Sequence, residues 1–239
     1  MNLAIDIGNT RTKMGVFDQS RLSTVFTFDT SGPAVQKDLI DGFDIQRVII
    51  SSTIDLPDYL SAITSKVEKN VILNEATPLP FLNHYGSKNS LGKDRLALIA
   101  AAHARFPHQN SLVIGCGTCI TFNFINNQDE FLGDSIHPGL KMRLQAMHTF
   151  TGKLPLIELE NKAELIGNDT KSNLLSGVLL AAAKEIDGMI DEYLVKFPQM
   201  NIIITGGDAD LLVSRLKNEI FAIPNLTLMG LNHILEYNA

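Results

Sequence analysis

The sequence predicts an α/β protein built from two similar α/β domains, residues 1–110 and 111–239. Three observations carry that expectation. The chain has 239 residues, 45% of them hydrophobic, enough apolar material for two modest cores. Each half opens with a glycine turn set inside a β pattern, Asp6-Ile7-Gly8-Asn9-Thr10 in one and Gly115-Cys116-Gly117-Thr118 in the other. Each half then passes into mixed strand and helix patterns. A ligand is expected in a cleft between the two glycine turns.

The elements follow in order. Leu3–Ile7 is short and apolar and runs into Gly-Asn, as a buried strand entering a turn does. Arg11–Phe17 and Arg21–Phe28 follow at hairpin spacing around Asp18-Gln19-Ser20, which completes a three-strand meander. Val35–Ile40 suggests a short helix, Arg47–Ser51 a buried strand, Asp55–Val67 a helix and Asn70–Leu73 a strand. Asp94–Arg105, rich in Ala and Leu and followed by Pro107, predicts a helix. The second half repeats the outline: strands at Ser111–Ile114, Thr118–Asn126 and Glu130–Ile136, then helices at Gly139–Phe150 and Lys171–Lys196. Asn201–Thr205 predicts a strand, Gly206-Gly207 a turn and Ala209–Asn218 a helix. Leu226–Leu228 reads as a strand and Leu231–Tyr237 as a short helix.

Bulk properties exclude several classes. A net charge of −6 and no Lys/Arg run argue against nucleic-acid binding. No apolar stretch approaches the roughly 18 residues of a membrane helix. The start, MNLAIDIGNT, lacks the basic segment of a secretory signal, and two cysteines suit a reducing cytoplasm. The six histidines show no zinc-binding spacing.

The first turn has the chemistry of a phosphate site. Gly8 permits a sharp turn and close approach, and the Asn9 and Thr10 side chains with nearby amides can donate to phosphate oxygens. Lys13 adds a point charge. Asp6, at the end of a buried strand, can hold hydrated Mg²⁺. Gly117, Thr118 and Thr121 hold the matching place in the second half. Gly206-Gly207 between strand and helix offers a flat backbone surface suited to adenosine. An ordinary hairpin and an ordinary helix-entry turn are the alternatives for each element alone. Neither a P-loop nor a dinucleotide G-x-G-x-x-G occurs.

Tyr85 to Arg95 reads YGSKNSLGKDR. Asp94 stands at the positive end of a helix, and Arg95 beside it can pin an anion; an N-cap Asp with a surface Arg is the alternative. At this point the sequence resembles the type III pantothenate kinases of the actin/hexokinase/Hsp70 superfamily, whose domains are ribonuclease-H-like. The resemblance rests on D-x-G-N-T at Asp6–Thr10, Y…L-G-x-D-R through Tyr85, Gly92, Asp94 and Arg95, FLGDSIHPG at Phe131–Gly139, GNDTKSN from Gly167, and TGG at Thr205–Gly207. It implies ATP-dependent phosphorylation of pantothenate to 4′-phosphopantothenate, the entry to coenzyme A synthesis. It further implies Asp94 as catalytic base, Tyr85, Gly92, Asp94, Arg95 and Thr170 as pantothenate contacts, and Asp6, Gly8, Asn9, Thr10, Lys13, Gly117, Thr118, Thr121, Gly206 and Gly207 as ATP contacts. Asp6 would be the metal residue. ATP with Mg²⁺ or another divalent cation, and a monovalent cation, K⁺ or NH₄⁺, are the implied cofactors. A homodimer sharing its substrate pocket across subunits is the implied assembly, with neither nucleic acid nor membrane as partner.

The chain departs from the family pattern in places. Gly115 stands where the second turn usually carries an acid, Asn123 where a downstream Asp is expected, and Asp134 where a second glycine is expected. Two readings therefore stay open: an active kinase with altered metal handling, and a catalytically impaired relative acting as a ligand-binding regulator of the Bvg accessory factor type. In Lys171–Lys196, Leu175, Leu179, Ala182, Ile186, Met189 and Tyr193 form an apolar stripe that fits a dimer helix or a helix buried in its own domain. Cys116 and Cys119 enter a β-branched run rather than a helix, so they read as small apolar residues rather than a redox pair.

Overall fold

Alternation of apolar residues sets the first sheet. In the computed structural model, which describes residues 1–31, 40–57 and 59–239, Asn2–Ile7 forms β1, Arg11–Asp18 forms β2 and Arg21–Asp29 forms β3. β1 and β2 pair antiparallel with Asp6 opposite Lys13. β2 and β3 pair antiparallel through a tight turn in which Gln19 takes φ 53°. β4 (Arg47–Ser52) joins β1 in parallel and β5 (Lys69–Ile72) joins β4, giving the order β3-β2-β1-β4-β5. The unbroken apolar runs of β1 and β4 suit parallel strands covered on both faces. Leu3, Ile5, Ile7, Met14, Val16, Val48 and Ile50 form a core with Leu60 and Ile63 of α1 (Tyr59–Thr64). That helix is shorter than the expected Asp55–Val67 and starts only after Pro57, which disfavours helical backbone in the residue before it. The helix expected at Val35–Ile40 lies outside the described residues except for Ile40.

α2 (Lys93–Arg105) packs against the last helix, α7 (Leu226–Tyr237), and α7 also packs on β1. The expectation of a strand at Leu226–Leu228 followed by a helix at Leu231–Tyr237 is corrected here: one helix covers both. Leu228, Leu231 and Leu235 are buried at helical spacing, so a stripe about two turns long outweighs the short strand-like run. At Gly230 the two helices come close enough that a Cβ would lie 1.7 Å from the Ala97 carbonyl oxygen.

The second sheet repeats the theme. β7 (Ser111–Cys116) and β8 (Cys119–Ile125) form a hairpin around the second glycine turn. β10 (Asn201–Thr205) pairs with β7 in parallel, and the two-residue β11 (Phe221–Ala222) pairs with β10. With β9 (Glu130–Pro138) the order is β11-β10-β7-β8-β9, and β6 (Leu82–Asn83) pairs with the first residues of β9. α3 (Leu140–Thr149), α4 (Thr170–Leu175), α5 (Ala181–Lys196) and α6 (Ala209–Val213) complete these elements.

The expected helix at Lys171–Lys196 is continuous but passes through a π turn at Ser176–Leu180 between α4 and α5. Its start is fixed by a capping box between Asp169 and Ser172. Leu175, Leu179, Ala182 and Ile186 of the apolar stripe are buried in the core of their own chain, with Met189 and Tyr193 packed against it. The stripe therefore has its partner within the subunit. α6 stops at Val213 rather than Asn218 because the buried Asp187 carboxylate takes the Lys217 amide at 3.0 and 3.2 Å and the Asn218 amide at 3.3 Å. Amides so held cannot continue a helix. On β9, His137 bonds Ser135 at 3.0 Å and pairs with Glu185 of α5 at 2.8 Å, and Arg143 of α3 grips both oxygens of Glu185 at 2.8 Å.

Two compact units emerge: Met1–Pro107 with Gln128–Leu132 and Asn225–Ala239, and His108–Asn127 with Gly133–Pro224. They do not follow the single boundary expected after residue 110. The chain's end returns to the first unit because α7 finds its apolar partner in α2.

Candidate functional site

The predicted site residues fall into two groups, one in each unit. In the first, Gly8 closes the turn after β1: its amide donates to the Arg11 carbonyl at 3.0 Å, and its own carbonyl accepts from the Thr30 hydroxyl at 2.8 Å. The Gly8 amide is thus committed to the turn, which leaves Asn9 and Thr10, both exposed, at its tip. Lys13 leaves β2 opposite Asp6 and donates to Asn225 Oδ1 at 3.2 Å.

Asp6 keeps some contact with solvent, yet its carboxyl is raised from 3.8 to about 6. Burial is the largest cause, and the Asp94 carboxylate within electrostatic reach adds to it, while Ser51 and Lys13 oppose. Ser51 lies across from Asp6 in the β1–β4 register. Its hydroxyl is close enough to favour the ionised carboxylate while falling outside hydrogen-bond geometry.

Asp94 does not cap α2. The cap position is Gly92, and Asp94 is the second helical residue with no capping duty. A Cβ on Gly92 would stand 2.5 Å from Asp94 Oδ1 and 3.1 Å from Arg95 Nε, so glycine here gives those two side chains their room. Arg95 is 7% exposed, with its guanidinium 5.6 Å from the centre of the Tyr85 ring. Tyr85 stacks on Phe131 with ring centres 6.1 Å apart and planes within 4° of parallel. Tyr85, Gly92, Asp94 and Arg95 are thus one connected group, and Asp94 links it to Asp6.

In the second unit the Gly117 amide donates to the Cys119 carbonyl at 3.0 Å. Gly139, at the start of α3, donates to the Thr118 carbonyl at 3.2 Å, and a Cβ there would lie 2.3 Å from that oxygen. Gly206 has φ +109°, a Cβ on it would fall 2.1 Å from the Cys116 carbonyl oxygen, and the Asp208 amide bonds that oxygen at 3.1 Å. The Gly117-Thr118 and Gly206-Gly207 turns are therefore fastened together by backbone. Thr121 Oγ1 accepts from Asn123 Nδ2 at 3.0 Å. Thr170 is exposed at the first position of α4.

Burial, with a smaller push from Asp208, raises the Cys116 thiol to about 12. Cys116 and Cys119 are both free thiols, and Cys116 packs in the core. Asp134 acts on Tyr193 of α5, whose hydroxyl is raised by burial first and by that carboxylate second. Ser51, Gly139 and Asn225 carry no site role in the sequence pattern. Gly139 had a signal, a Pro-Gly pair at a helix start. The other two are recognisable only once strand register and tertiary contact are known.

A family model described as type III pantothenate kinase matches residues 2–192. The chain belongs to the type III pantothenate kinase family. A relative of that name from Christiangramia forsetii is 40% identical over 246 residues, covering 100% of this chain and 99% of its own. A Baf-family protein from Campylobacter jejuni has a TM-score of 0.58 at 22% identity, covering 99% of this chain and 98% of its own. A ROK-family glucokinase from Streptomyces griseus, solved with glucose and AMPPNP, gives a TM-score of 0.55 at 11% identity, with 99% of each chain covered. At such low identity these two structures speak for the fold alone, a two-sheet α/β architecture.

Proposed function

We infer that this type III pantothenate kinase family member transfers the γ-phosphoryl group of ATP to pantothenate, giving 4′-phosphopantothenate and ADP, in coenzyme A synthesis. The observation that carries the reading is Asp94: its carboxylate is spared from capping by Gly92 and lies within reach of Asp6 in a chain of this family. The binding-only alternative has no observation in its favour.

In the reaction, the substrate hydroxyl oxygen bonds the γ-phosphorus as the bond to the ADP oxygen breaks, and the hydroxyl proton passes to Asp94. Phosphoryl transfer asks the protein mainly to position groups and offset charge. Arg95, held by the Tyr85 ring, meets the pantothenate carboxylate. Gly92 and Tyr85 hold its other polar atoms, with Thr170 of the partner subunit in a homodimer. Gly8, Asn9, Thr10, Lys13, Gly117, Thr118 and Thr121 meet phosphate oxygens, and Gly206 and Gly207 lie against adenosine.

A divalent cation fits Asp6. Burial first and the Asp94 charge second raise the Asp6 carboxyl, so a bound cation would favour its ionised form, and a carboxylate oxygen is a ligand that Mg²⁺ accepts. Such a cation, when bound, would offset charge on the transferring phosphates. Asn123 supports the monovalent cation on narrower ground: its Oδ1 is buried with no hydrogen-bond partner among the described residues, and a neutral carbonyl oxygen is a ligand K⁺ accepts.

The homodimer follows from family kinship and from apolar side chains left outside. Phe150, Leu165 and Ile166 are 85%, 84% and 82% exposed. Among the described residues no helix is long and apolar enough to cross a membrane. A cytoplasmic setting belongs to the same proposal. The test is formation of ADP and 4′-phosphopantothenate by purified protein, with mass measured by gel filtration and light scattering. Absence of both products overturns the activity, and a monomer at assay concentration overturns the shared pocket.

A further inference from the structure

We propose that Asn225 is a positioning residue for the Lys13 ammonium, holding it ready for a phosphate of ATP. The inference rests on the kinase reading above and on Lys13 as a phosphate contact. Lys13 Nζ donates to Asn225 Oδ1 at 3.2 Å, across 212 positions of sequence. Asn225 stands immediately before α7 with φ 56° and ψ 26°, a left-handed backbone. An asparagine at the start of a helix ordinarily turns its side-chain oxygen to the amides of the first turn. Asn225 makes no such bond, and its oxygen goes to Lys13 instead.

The chemistry of the pair suits this role. A lysine ammonium sits on a flexible four-carbon stem and carries three donors. One bond to Asn225 fixes its position and leaves two donors for phosphate oxygens, so less freedom is lost when the ligand arrives. An amide oxygen orients the ammonium without cancelling its charge. A carboxylate in the same place would hold it equally well and neutralise it. Lys13 also lies opposite Asp6 in the β1–β2 register, so the tethered charge stays on the strand pair that carries the first glycine turn.

Asn225→Gly and Asn225→Asp test the proposal, because glycine and aspartate both tolerate left-handed backbone. A role for Asn225 in the backbone alone would leave both variants close to wild type. Positioning of Lys13 predicts that Asn225→Gly raises the KM for ATP by about 10-fold, with the KM for pantothenate at saturating ATP unchanged. Asn225→Asp should raise the ATP KM at least as much, through neutralisation. In a Lys13→Met background Asn225→Gly should add nothing. A wild-type ATP KM in both variants, an equal rise in both KM values, or additivity with Lys13→Met overturns the proposal while leaving the kinase reading intact. An unchanged ATP KM in Lys13→Met alone would remove Lys13 from phosphate binding and the proposal with it. Binding of a non-hydrolysable ATP analogue, measured by calorimetry, gives the same comparison without turnover.

Discussion

Gly92 stands so close to Asp94 that a single added methyl would sit 2.5 Å from the Asp94 carboxylate oxygen. The nearest obstacles to that methyl are side-chain atoms of Asp94 and Arg95, which can swing away. Gly92→Ala should therefore cost little stability, under about 1 kcal/mol, because the backbone at Gly92 has φ −58° and needs no glycine. Its effect should fall on catalysis, with kcat down at least about 10-fold as the base is displaced. Thermal melting beside steady-state kinetics checks the split. A large drop in melting temperature with little change in kcat would mean that Gly92 serves the fold.

The pair of carboxylates gives a pH signature with a defined sign. Asp6 titrates near 6 when folded against 3.8 for an ordinary aspartate. Below about pH 3 both states are protonated. As pH rises through 6, ionising Asp6 costs the folded state more than the unfolded one, so stability falls by about 3 kcal/mol. Urea unfolding in the presence of EDTA should show that fall in wild type and lose most of it in Asp6→Asn. Asp94→Asn should remove only the smaller part, since burial is the larger cause. Equal pH dependence in wild type and Asp6→Asn would refute the assignment.

The two thiols should separate cleanly. Cys116 is buried with its thiol raised to about 12, whereas Cys119 is partly exposed. A thiol reagent at neutral pH should modify Cys119 in the folded protein and reach Cys116 only on unfolding. Mass spectrometry of digested protein reads the positions directly, and fast labelling of Cys116 would contradict its placement.

Gly230 should be among the least tolerant positions in the chain. A Cβ there would lie 1.7 Å from the Ala97 carbonyl oxygen and 3.0 Å from the Ala101 amide nitrogen, both backbone atoms that cannot step aside. Gly230→Ala should destabilise by about 3 kcal/mol or more, by forcing α7 away from α2. Chemical unfolding measures this, and a neutral effect would refute the close crossing.

Much of the fold was legible because period and punctuation agreed. The strand β1 and the helix α2 carry buried apolar runs bounded by Gly or Pro, so local preference and packing point the same way. Where reading failed, a tertiary partner decided. Leu226–Leu228 reads as strand by itself and becomes helix because α2 offers a groove for its leucines. Residues 214–218 lose their helix to the Asp187 carboxylate, thirty positions away in sequence. The stripe on α5 was visible, but not that its own core consumes it. At the site, glycine turns and the Gly-x-Asp-Arg segment were recognisable by residue type. The raised pKa of Asp6, by contrast, depends first on burial and second on Asp94, and only folding supplies either.

The most direct test of the central claim is the phosphorylation of pantothenate by wild type and Asp94→Asn, assayed with ATP and with Mg²⁺ or Mn²⁺, each in the presence of K⁺ or NH₄⁺. The expected result is 4′-phosphopantothenate from wild type, and a loss of at least about 100-fold in Asp94→Asn with ATP binding retained. Absence of product from wild type under every ion condition, or undiminished turnover by Asp94→Asn, would contradict it.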